Sequence, residues 1–228
     1  MNDLMSAGMH RRWKKAFVDM IGLGPMRKPN LAVLDVAGGT GDISFSIADQ
    51  LERLTPSATD DDAAAQPRIV VCDVNKAMLD EGRKRAEASR RDYLEWVVGN
   101  AQQLPFDDGS FDVYTIAFGI RNVTRIDEAL REAHRVLRPG GRFLCLEFSK
   151  VTHPVLRTLY ERYSFNVIPK IGQMVANDAA SYQYLVESIQ KFDDQETLAH
   201  RMRRAGLRCV SYTNLTGGVV AIHSAIKL

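Results

Sequence analysis

Short apolar runs alternate along the chain with longer segments whose apolar residues recur at helical spacing, beginning near residue 31. Each run is apolar throughout, which is typical of strands buried on both faces of a parallel sheet. The pattern predicts five such strands, at Leu31–Val36, Arg68–Asp73, Leu94–Val98, Asp112–Phe118 and Gly141–Phe148. It predicts helices between them, at Ile43–Arg53, at Asn75–Arg90 and from the capping residue Thr124 to Pro139-Gly140-Gly141. Such repeated units predict a doubly wound, Rossmann-like α/β sheet, with ligands beyond the carboxyl ends of its strands.

The pattern changes after this fifth strand. Residues 153–192 predict helices and loops that carry many aromatic side chains. Asp193 and Glu196 then form a capping-box pattern, which predicts the start of a further helix that ends at Gly206. The aromatic segment therefore reads as a helical insertion before the sheet resumes.

The chain ends with two more predicted strands, Arg208–Asn214 and Val219–Lys227, joined by a hairpin turn at Thr216-Gly217-Gly218. They predict an antiparallel C-terminal edge on an otherwise parallel, seven-stranded sheet. Residues 55–67, with a proline near each end and three aspartates, predict a flexible surface insertion. We expect one domain over 1–228, with an N-terminal helical cover at 1–28 and the helical insertion at 153–192.

Composition narrows the class of protein. The 228 residues are 45% hydrophobic and 25% charged, which suits a folded domain. Since no apolar run reaches the ~18 residues of a membrane-spanning helix, we expect a soluble chain. The lack of an apolar segment at the start predicts no signal peptide. Dispersed histidines and three distant cysteines predict a reducing compartment, no disulfide framework and no metal site; the cysteines are Cys72, Cys145 and Cys209.

The net charge of +2 is too balanced for a protein that grips nucleic acid by its phosphates. Residues 1–28 hold six basic and two acidic groups, which leaves 24 basic against 26 acidic groups elsewhere. One helical face of this segment is apolar and the other is basic; the apolar residues are Met9, Trp13, Phe17 and Met20. Two interpretations stay open: a helix lying on anionic lipid, or a helix whose apolar face joins the core.

The first strand runs into a glycine cluster, Val33-Leu34-Asp35-Val36-Ala37-Gly38-Gly39-Thr40-Gly41-Asp42, and then directly into a helix. Glycines at this place let backbone N–H groups approach a ligand. The segment matches neither G-x-G-x-x-G nor the phosphate loop G-x-x-x-x-G-K-[ST]. S-adenosylmethionine remains as a ligand that needs no anion cradle. Asp35 can orient the loop or meet the ligand's ammonium group, Asp73 can accept the ribose hydroxyls, and Asn100 can bond the adenine edge.

Taken in order, these elements resemble class I S-adenosylmethionine-dependent methyltransferases. Closer similarity, from end to end, is to the ubiquinone/menaquinone biosynthesis C-methyltransferases. It is carried by the segments MNDLMSAGMHRRWK at 1–14, FGIRNVT at 118–124, LEFS at 146–149, YSFNVIP at 163–169 and SYQYLVESI at 181–189. The resemblance implies S-adenosyl-L-methionine as cofactor. The candidate cofactor-binding residues are Asp35, Gly38, Gly39, Thr40, Gly41, Asp73, Asn100 and Ala101.

The same resemblance implies C-methylation of a polyprenylated benzoquinol, 2-methoxy-6-polyprenyl-1,4-benzoquinol, or of a demethylmenaquinol in the menaquinone branch. A quinol carbon becomes nucleophilic when its hydroxyl ionises, so the site must stabilise a phenolate. Arg121 is the candidate electrostatic anchor, with Asn122 as its hydrogen-bonding neighbour and Glu147 as a further catalytic candidate. The alternative for Arg121 is an ion pair that pins its loop. Tyr163 and Asn166 are candidate substrate residues, although aromatics of this insertion can equally be core.

A polyprenyl quinol as substrate predicts peripheral contact with a membrane surface. The resemblance further implies a multi-enzyme ubiquinone-biosynthesis complex and a homodimer as partners. The expected location is the matrix side of the mitochondrial inner membrane, or the bacterial cytoplasm and inner membrane surface. A non-catalytic scaffold with this fold is the contrasting hypothesis, and it predicts a damaged cofactor site.

Overall fold

The computed structural model describes residues 8–26, 30–54, 67–152 and 179–228, with side chains left undescribed at 179–182. Its seven strands form one sheet in the order β3-β2-β1-β4-β5-β7-β6. The strands are β1 Ala32–Val36, β2 Arg68–Asp73, β3 Leu94–Val98, β4 Phe111–Ala117, β5 Leu137–Phe148, β6 Arg208–Leu215 and β7 Val220–Ile226. The helices are α1 Met9–Ile21, α2 Asp42–Leu54, α3 Lys76–Ala88, α4 Ile126–Val136, α5 Ala179–Lys191 and α6 Gln195–Arg204, with short turns at Leu23–Met26, Ile120–Asn122 and Thr216–Gly218.

The order of the strands confirms the predicted doubly wound sheet. Strands β3, β2, β1, β4 and β5 are parallel, and β1 lies between β2 and β4. The chain therefore leaves β1 in one direction and later returns on its other side. In sheets of this kind a crevice opens at the carboxyl ends of the two central strands, and ligands bind there.

The antiparallel strand at the C-terminal side of the sheet is also confirmed. It is β7, which pairs antiparallel with both β5 and β6. Since β7 lies between these two, β6 forms the outermost strand. The turn at Thr216–Gly218 joins β6 to β7 as the sequence predicts.

Strands β1, β2 and β4 are largely apolar because helices cover both faces of the sheet there. Every residue of β1 is buried, as are six of the seven in β4. One apolar layer joins the sheet to α4 and α6, and the other joins it to α1 and α2. This two-sided burial is the physical reason for the unbroken apolar runs.

The first helix belongs to the core. Phe17 is fully buried, Trp13 is nearly so, and Met9 and Met20 pack against the same apolar layer. The indole N–H of Trp13 donates to the hydroxyl of Thr216 at 2.9 Å, which ties α1 to the turn between β6 and β7. Of the two interpretations of this apolar face, core packing is the one observed. The face is therefore not available for insertion into lipid.

Two predicted helix starts are wrong. Helix α4 begins at Ile126, and its N-cap residue is Arg125 rather than Thr124. The N–H of Arg125 donates at 2.7 Å to Oε1 of Gln102, so a distant loop supplies the partner. The helix also ends at Val136, before the predicted Pro-Gly-Gly stop, because the chain has already entered β5.

The second error concerns α6. Asp194 caps this helix, accepting the N–H of Thr197 at 2.8 Å. The predicted cap, Asp193, instead forms an ion pair with Arg201 at 2.6 Å. Asp193 and Asp194 have the same side chain and either could cap a helix. The packing of α6 decides that Asp194 is the cap and that Asp193 is the partner of Arg201.

Several predictions lie wholly or mainly outside the described residues. These are the surface insertion at 55–67, of which only Pro67 is described, and residues 153–178 of the helical insertion, whose last helix is α5. Among the described helices none is long and apolar enough to cross a membrane. Within the same ranges no group of three His, Cys, Asp or Glu side chains is arranged to hold a metal ion.

Candidate active site

The glycine-rich loop after β1 is a tight turn that exposes backbone rather than side chains. Gly39 and Gly41 have φ of 56° and 82°, in the left-handed region that favours glycine. A Cβ on Gly41 would lie 2.6 Å from Cη2 of Trp96, so this position has no room for one. The N–H of Gly41 donates to the carbonyl of Gly38 at 2.8 Å and closes the turn. A ligand at this edge would meet main-chain groups at close range.

Asp35 lies inside β1, beneath the loop, and is 1% exposed. Its Oδ2 accepts the hydroxyl of Ser44 at 2.8 Å and its Oδ1 accepts the hydroxyl of Thr115 at 2.9 Å. Burial raises the pKa of Asp35 to about 6, although the two hydroxyls act in the opposite direction. Because Ser44 belongs to α2 and Thr115 to β4, this carboxyl joins the elements on both sides of the loop.

Asp73 ends β2 and holds the loop from its other side. Its Oδ2 accepts the N–H of Gly39 at 2.9 Å, and its Oδ1 accepts the N–H of Asn75 at 2.8 Å. A carboxylate oxygen can accept a second donor, and Asp73 is only partly buried. The same side chain can therefore order the loop and still accept hydroxyl groups of a ligand.

Exposed apolar side chains lie around Asp73, and they are not among the residues predicted from the sequence. Val74 is 68% exposed, and Val98, the residue opposite Asp73 on β3, is also exposed. The exposed Met78 completes the group, because its Cε would lie 3.2 Å from a Cβ on Gly39. Clustered exposed apolar groups favour a flat apolar ligand. The sequence does carry a signal for them: Val74 and Met78 lie on either side of the helix cap Asn75, just after the buried strand β2.

Asn100 and Ala101 follow β3 at the same edge of the sheet. Asn100 is exposed, and its Oδ1 accepts the N–H of Gln102 at 2.9 Å in a local turn. Ala101 is buried beneath it. The N–H of Leu104 donates to Oε2 of Glu132 in α4 at 2.7 Å, so the loop is anchored a few residues further on.

Arg121 and Glu147 form a buried ion pair at the carboxyl ends of β4 and β5. Nη1 of Arg121 lies 2.9 Å from Oε1 of Glu147, and the two side chains are 10% and 1% exposed. The backbone N–H of Phe148 donates to Oε1 and that of Arg121 to Oε2, so both oxygens of Glu147 are engaged. Burial raises the pKa of the Glu147 carboxyl, and the charge of Arg121 opposes this rise.

The backbone around Phe118 aims Arg121. Phe118 has φ of 54°, which is unfavourable for a bulky residue, and its carbonyl accepts Nη1 of Arg121 at 2.6 Å. The following Gly119 packs so closely that a Cβ there would lie 2.4 Å from Cβ of Ala37. The Arg121 segment and the glycine loop are therefore in direct contact. Nε of Arg121 is buried without a hydrogen-bond partner among the described residues.

The remaining predicted residues are placed as follows. Asn122 is exposed beside Arg121, and its Oδ1 accepts the hydroxyl of Tyr184, on α5, at 3.4 Å. Thr40 accepts Nη1 of Arg85 through its hydroxyl at 2.9 Å. Tyr163 and Asn166 lie outside the described residues. The structure thus brings the predicted cofactor and acceptor residues that it describes to one edge of one sheet.

The strand order, the glycine loop and the acid at the end of β2 together define a class I methyltransferase. Comparison with known proteins identifies the family. The model of the ubiE/COQ5 methyltransferase family matches residues 1–227, and this chain belongs to that family.

Curated relatives match over the whole chain. One is the zebrafish (Danio rerio) mitochondrial 2-methoxy-6-polyprenyl-1,4-benzoquinol methylase, 53% identical over all of this chain and 75% of its own length. Another is the ubiquinone/menaquinone biosynthesis C-methyltransferase UbiE of Paracoccus denitrificans, 57% identical over all of this chain and 85% of its own length. The mitochondrial and the bacterial protein are thus similarly close.

Solved structures share the fold at low identity. A phosphoethanolamine N-methyltransferase of Haemonchus contortus, in complex with S-adenosyl-L-methionine, matches with a TM-score of 0.66 and 15% identity; the match covers 94% of this chain and 52% of that one. An S-adenosylmethionine-dependent methyltransferase from Aquifex aeolicus matches with a TM-score of 0.58 and 15% identity, over 91% and 88% of the two chains. These likenesses concern the fold.

Proposed function

We propose that this chain catalyses the S-adenosyl-L-methionine-dependent C-methylation of 2-methoxy-6-polyprenyl-1,4-benzoquinol in ubiquinone biosynthesis. The observation that carries the proposal is its 53% identity, over its whole length, to a relative named for that reaction. The intact glycine loop and the Arg121–Glu147 pair at the same edge support it chemically. A demethylmenaquinol is the alternative acceptor, since the Paracoccus relative is named for both pathways.

The residues present fit the cofactor. The loop of Gly38, Gly39 and Gly41 offers main-chain groups, and Asp73 keeps acceptor capacity for the ribose hydroxyls. The exposed apolar side chains around Asp73 suit the faces of the adenine, and Asn100 suits its edge; those apolar residues are Val74, Met78 and Val98. When bound, S-adenosyl-L-methionine supplies an electrophilic methyl group. Asp35 is 1% exposed beneath the loop, where its carboxyl is bonded to Ser44 and Thr115, so it orients the loop rather than meeting the ligand.

Arg121 acts on the acceptor. Its guanidinium is a positive charge, and at 10% exposure it lies in surroundings where water screens little. A quinol hydroxyl placed against it loses its proton more readily, and the ring carbon beside that oxygen becomes nucleophilic. Glu147 accepts three donors around this site and so positions Arg121. Asn122 can donate its amide to the same substrate oxygen, and Tyr163 and Asn166 remain proposed substrate contacts.

A methylation assay tests the proposal directly. The protein is incubated with labelled cofactor and either a prenylated methoxybenzoquinol or a prenylated demethylnaphthoquinol, and mass spectrometry locates the new methyl group. A ring-carbon methyl on the benzoquinol is the expected result. Exclusive methylation of the naphthoquinol would favour the alternative pathway. Cofactor binding without turnover on either acceptor would favour a scaffold.

Arg121→Ala should lower turnover about 100-fold, the scale of a lost oxyanion donor, while cofactor affinity stays within twofold. Because this change leaves Glu147 buried without its cation, Arg121→Lys is assayed as a charge-retaining companion and thermal unfolding is recorded for both. Calorimetry supplies the affinity and initial rates supply the turnover. If the folded Arg121→Ala variant turns over as fast as the wild type, the role of Arg121 is only the ion pair that holds its loop.

We further propose peripheral attachment to a membrane through electrostatics. The outer face of α1 exposes Arg11, Arg12 and Lys15. Asp19 pairs with Lys15 at 2.6 Å, which still leaves this face a net positive charge that complements anionic headgroups. The name of the zebrafish relative supports a mitochondrial location, and the matrix side of the inner membrane is the place we propose there; the bacterial cytoplasm and inner membrane surface are the alternative, by likeness to the Paracoccus relative. A homodimer and a multi-enzyme quinone-biosynthesis complex are the proposed assemblies.

Vesicle flotation checks the attachment. Binding to anionic vesicles should weaken steeply between 50 and 300 mM salt, and it should fall further in Arg11→Gln/Arg12→Gln. Neutral vesicles are the matched control for the lipid charge. Salt-independent binding, or equal binding by the double variant, would contradict an electrostatic contact through α1.

A further inference from the structure

An ionic network outside the residues assigned above reaches the glycine loop from two helices. Nη1 of Arg85, on α3, donates to the carbonyl of Thr40 at 3.1 Å and to its hydroxyl at 2.9 Å. The same nitrogen lies 2.9 Å from Oδ1 of Asp42. One guanidinium group thus holds both the main chain and the side chain of the loop residue that precedes Gly41.

The network continues into the N-terminal helix. Oδ2 of Asp42, in the first turn of α2, lies 2.8 Å from Nζ of Lys14 on α1. Burial disfavours the charged form of Asp42, but the hydrogen bonds and charges of Lys14 and Arg85 outweigh it and lower the pKa of this carboxyl. Asp42 is therefore an anion shared by cations from two different helices.

This network differs from the local ion pairs within α3 because it joins three helices. Arg83, two residues earlier on α3, pairs with Asp80 of the same helix, so its contact spans three residues. The contacts of Arg85 and Lys14 span at least 28 residues and join α1, α2 and α3 to the loop. The guanidinium of Arg85 also lies over the ring of Phe45, 4.9 Å from its centroid, which restricts its position.

The loop is consequently held at two successive residues by different elements. Asp73 bonds the N–H of Gly39 from β2, and Arg85 bonds Thr40 from α3. The hydroxyl of Thr40 accepts from Arg85, so its own proton points away from that donor and is left for another acceptor. A charged donor on the far side of a hydroxyl strengthens the hydrogen bond that the hydroxyl gives.

We propose that Arg85 is a positioning residue for the cofactor and that Asp42 couples it to Lys14, so that docking of α1 and cofactor binding stabilise each other. The proposal rests on the proposed function only for the identity of the cofactor. It means that α1 influences cofactor affinity through Lys14, in addition to packing on the core.

Calorimetric titration of the full chain with S-adenosyl-L-methionine tests the positioning role. Arg85→Met should raise the dissociation constant about fivefold to tenfold, as expected for lost hydrogen bonds from a charged donor. Arg85→Lys should recover part of the affinity. At saturating cofactor kcat should stay within twofold, since Arg85 touches no reacting atom. Arg83→Met, on the same helix and similarly exposed, is the matched control and should bind as the wild type does.

A double-mutant cycle tests the coupling. Lys14→Met should weaken binding by a smaller factor, and Arg85→Met with Lys14→Met should weaken it by a factor that differs from the product of the two, because both cations share Asp42. An unchanged dissociation constant in folded Arg85→Met, or a loss of kcat alone, would overturn the positioning role. Strict multiplicativity would overturn the coupling. Absence of cofactor binding by the wild type would instead contradict the proposed function.

Discussion

The carboxyl of Asp35 lies in the middle of the sheet, where water cannot solvate its charge. Its pKa is raised from 3.8 to about 6 by that burial, and the hydroxyls of Ser44 and Thr115 recover only part of the cost. Since the folded-state pKa is above the unfolded one, the folded state holds the proton more tightly. The stability that this proton contributes is fully present below about pH 4, and it is lost as the pH rises through about 6.

Asp35→Asn should therefore change how stability depends on pH. The free energy of unfolding of the variant, relative to the wild type, should rise between pH 4 and pH 7.5 by on the order of 3 kcal/mol, because a neutral amide pays no cost of ionisation. Urea unfolding of the cofactor-free protein across this range measures the difference. A difference that is constant with pH would show that Asp35 titrates alike in the folded and unfolded chain.

Residues of the acceptor side show the limit of inference from motifs. From its sequence context Arg121 has two candidate roles, electrostatic anchor or ion pair, and in the structure it forms the ion pair at 2.9 Å. The two roles are compatible, because Nε of this guanidinium has no partner among the described residues. The partner, Glu147, is 26 residues away, and only the pairing of β4 with β5 brings it there.

At the scale of elements, α1 is the helix whose amphipathic pattern had two explanations. A helix that lies on lipid and a helix that packs on a protein core have the same apolar face, so periodicity cannot distinguish the two explanations. The contacts do separate them, because Trp13 lies against the rings of Phe118 and Phe148, with centroid distances of 6.5 and 6.3 Å. The first helix therefore adjoins the shell of the Arg121 site.

Phe17→Ala measures what this helix contributes to folding. Removing the fully buried ring should lower the free energy of unfolding by about 3–5 kcal/mol. Arg12→Ala, on the exposed face of the same helix, should change it by less than about 0.5 kcal/mol. Urea unfolding without lipid compares the two variants. Similar values would mean that α1 adds little to the core.

Elements with an unbroken apolar run were predicted most accurately. The predicted bounds of β2 and β3 agree with the structure at both ends, and in β2 the four central residues are all buried, which gives the strand one apolar pattern. The start of α4 was missed because its N-cap residue, Arg125, has no capping side chain, and its N–H bonds to Gln102, 23 residues earlier in the chain. A local capping rule cannot anticipate a hydrogen bond that the fold supplies.

At the scale of the whole molecule, the cofactor should act as a stabilising ligand. Binding to the folded state alone adds about 2.7 kcal/mol at a concentration 100 times the dissociation constant. For a chain of this size that corresponds to a rise in Tm on the order of 5–10 °C. Thermal unfolding with and without S-adenosyl-L-methionine measures the rise.

Asp73→Ala provides the matched variant, because it removes the proposed ribose acceptor and one bond to the loop together. It should abolish most of the rise in Tm, and the dissociation constant should increase accordingly. If the cofactor raises the Tm of the variant as much as that of the wild type, Asp73 does not bind the ribose.

By itself the sequence determined the α/β class, the seven strands, the glycine loop and the family, because burial periodicity and local glycine requirements are written in neighbouring residues. Only the tertiary structure decided that Arg85 reaches Thr40, that Glu147 holds Arg121, and that the apolar face of α1 is core. Each of these depends on side chains far apart in the chain whose distance is set by strand order and helix packing. The local pattern of residues carries no information about such distances, whereas the fold brings these side chains within hydrogen-bond distance of each other.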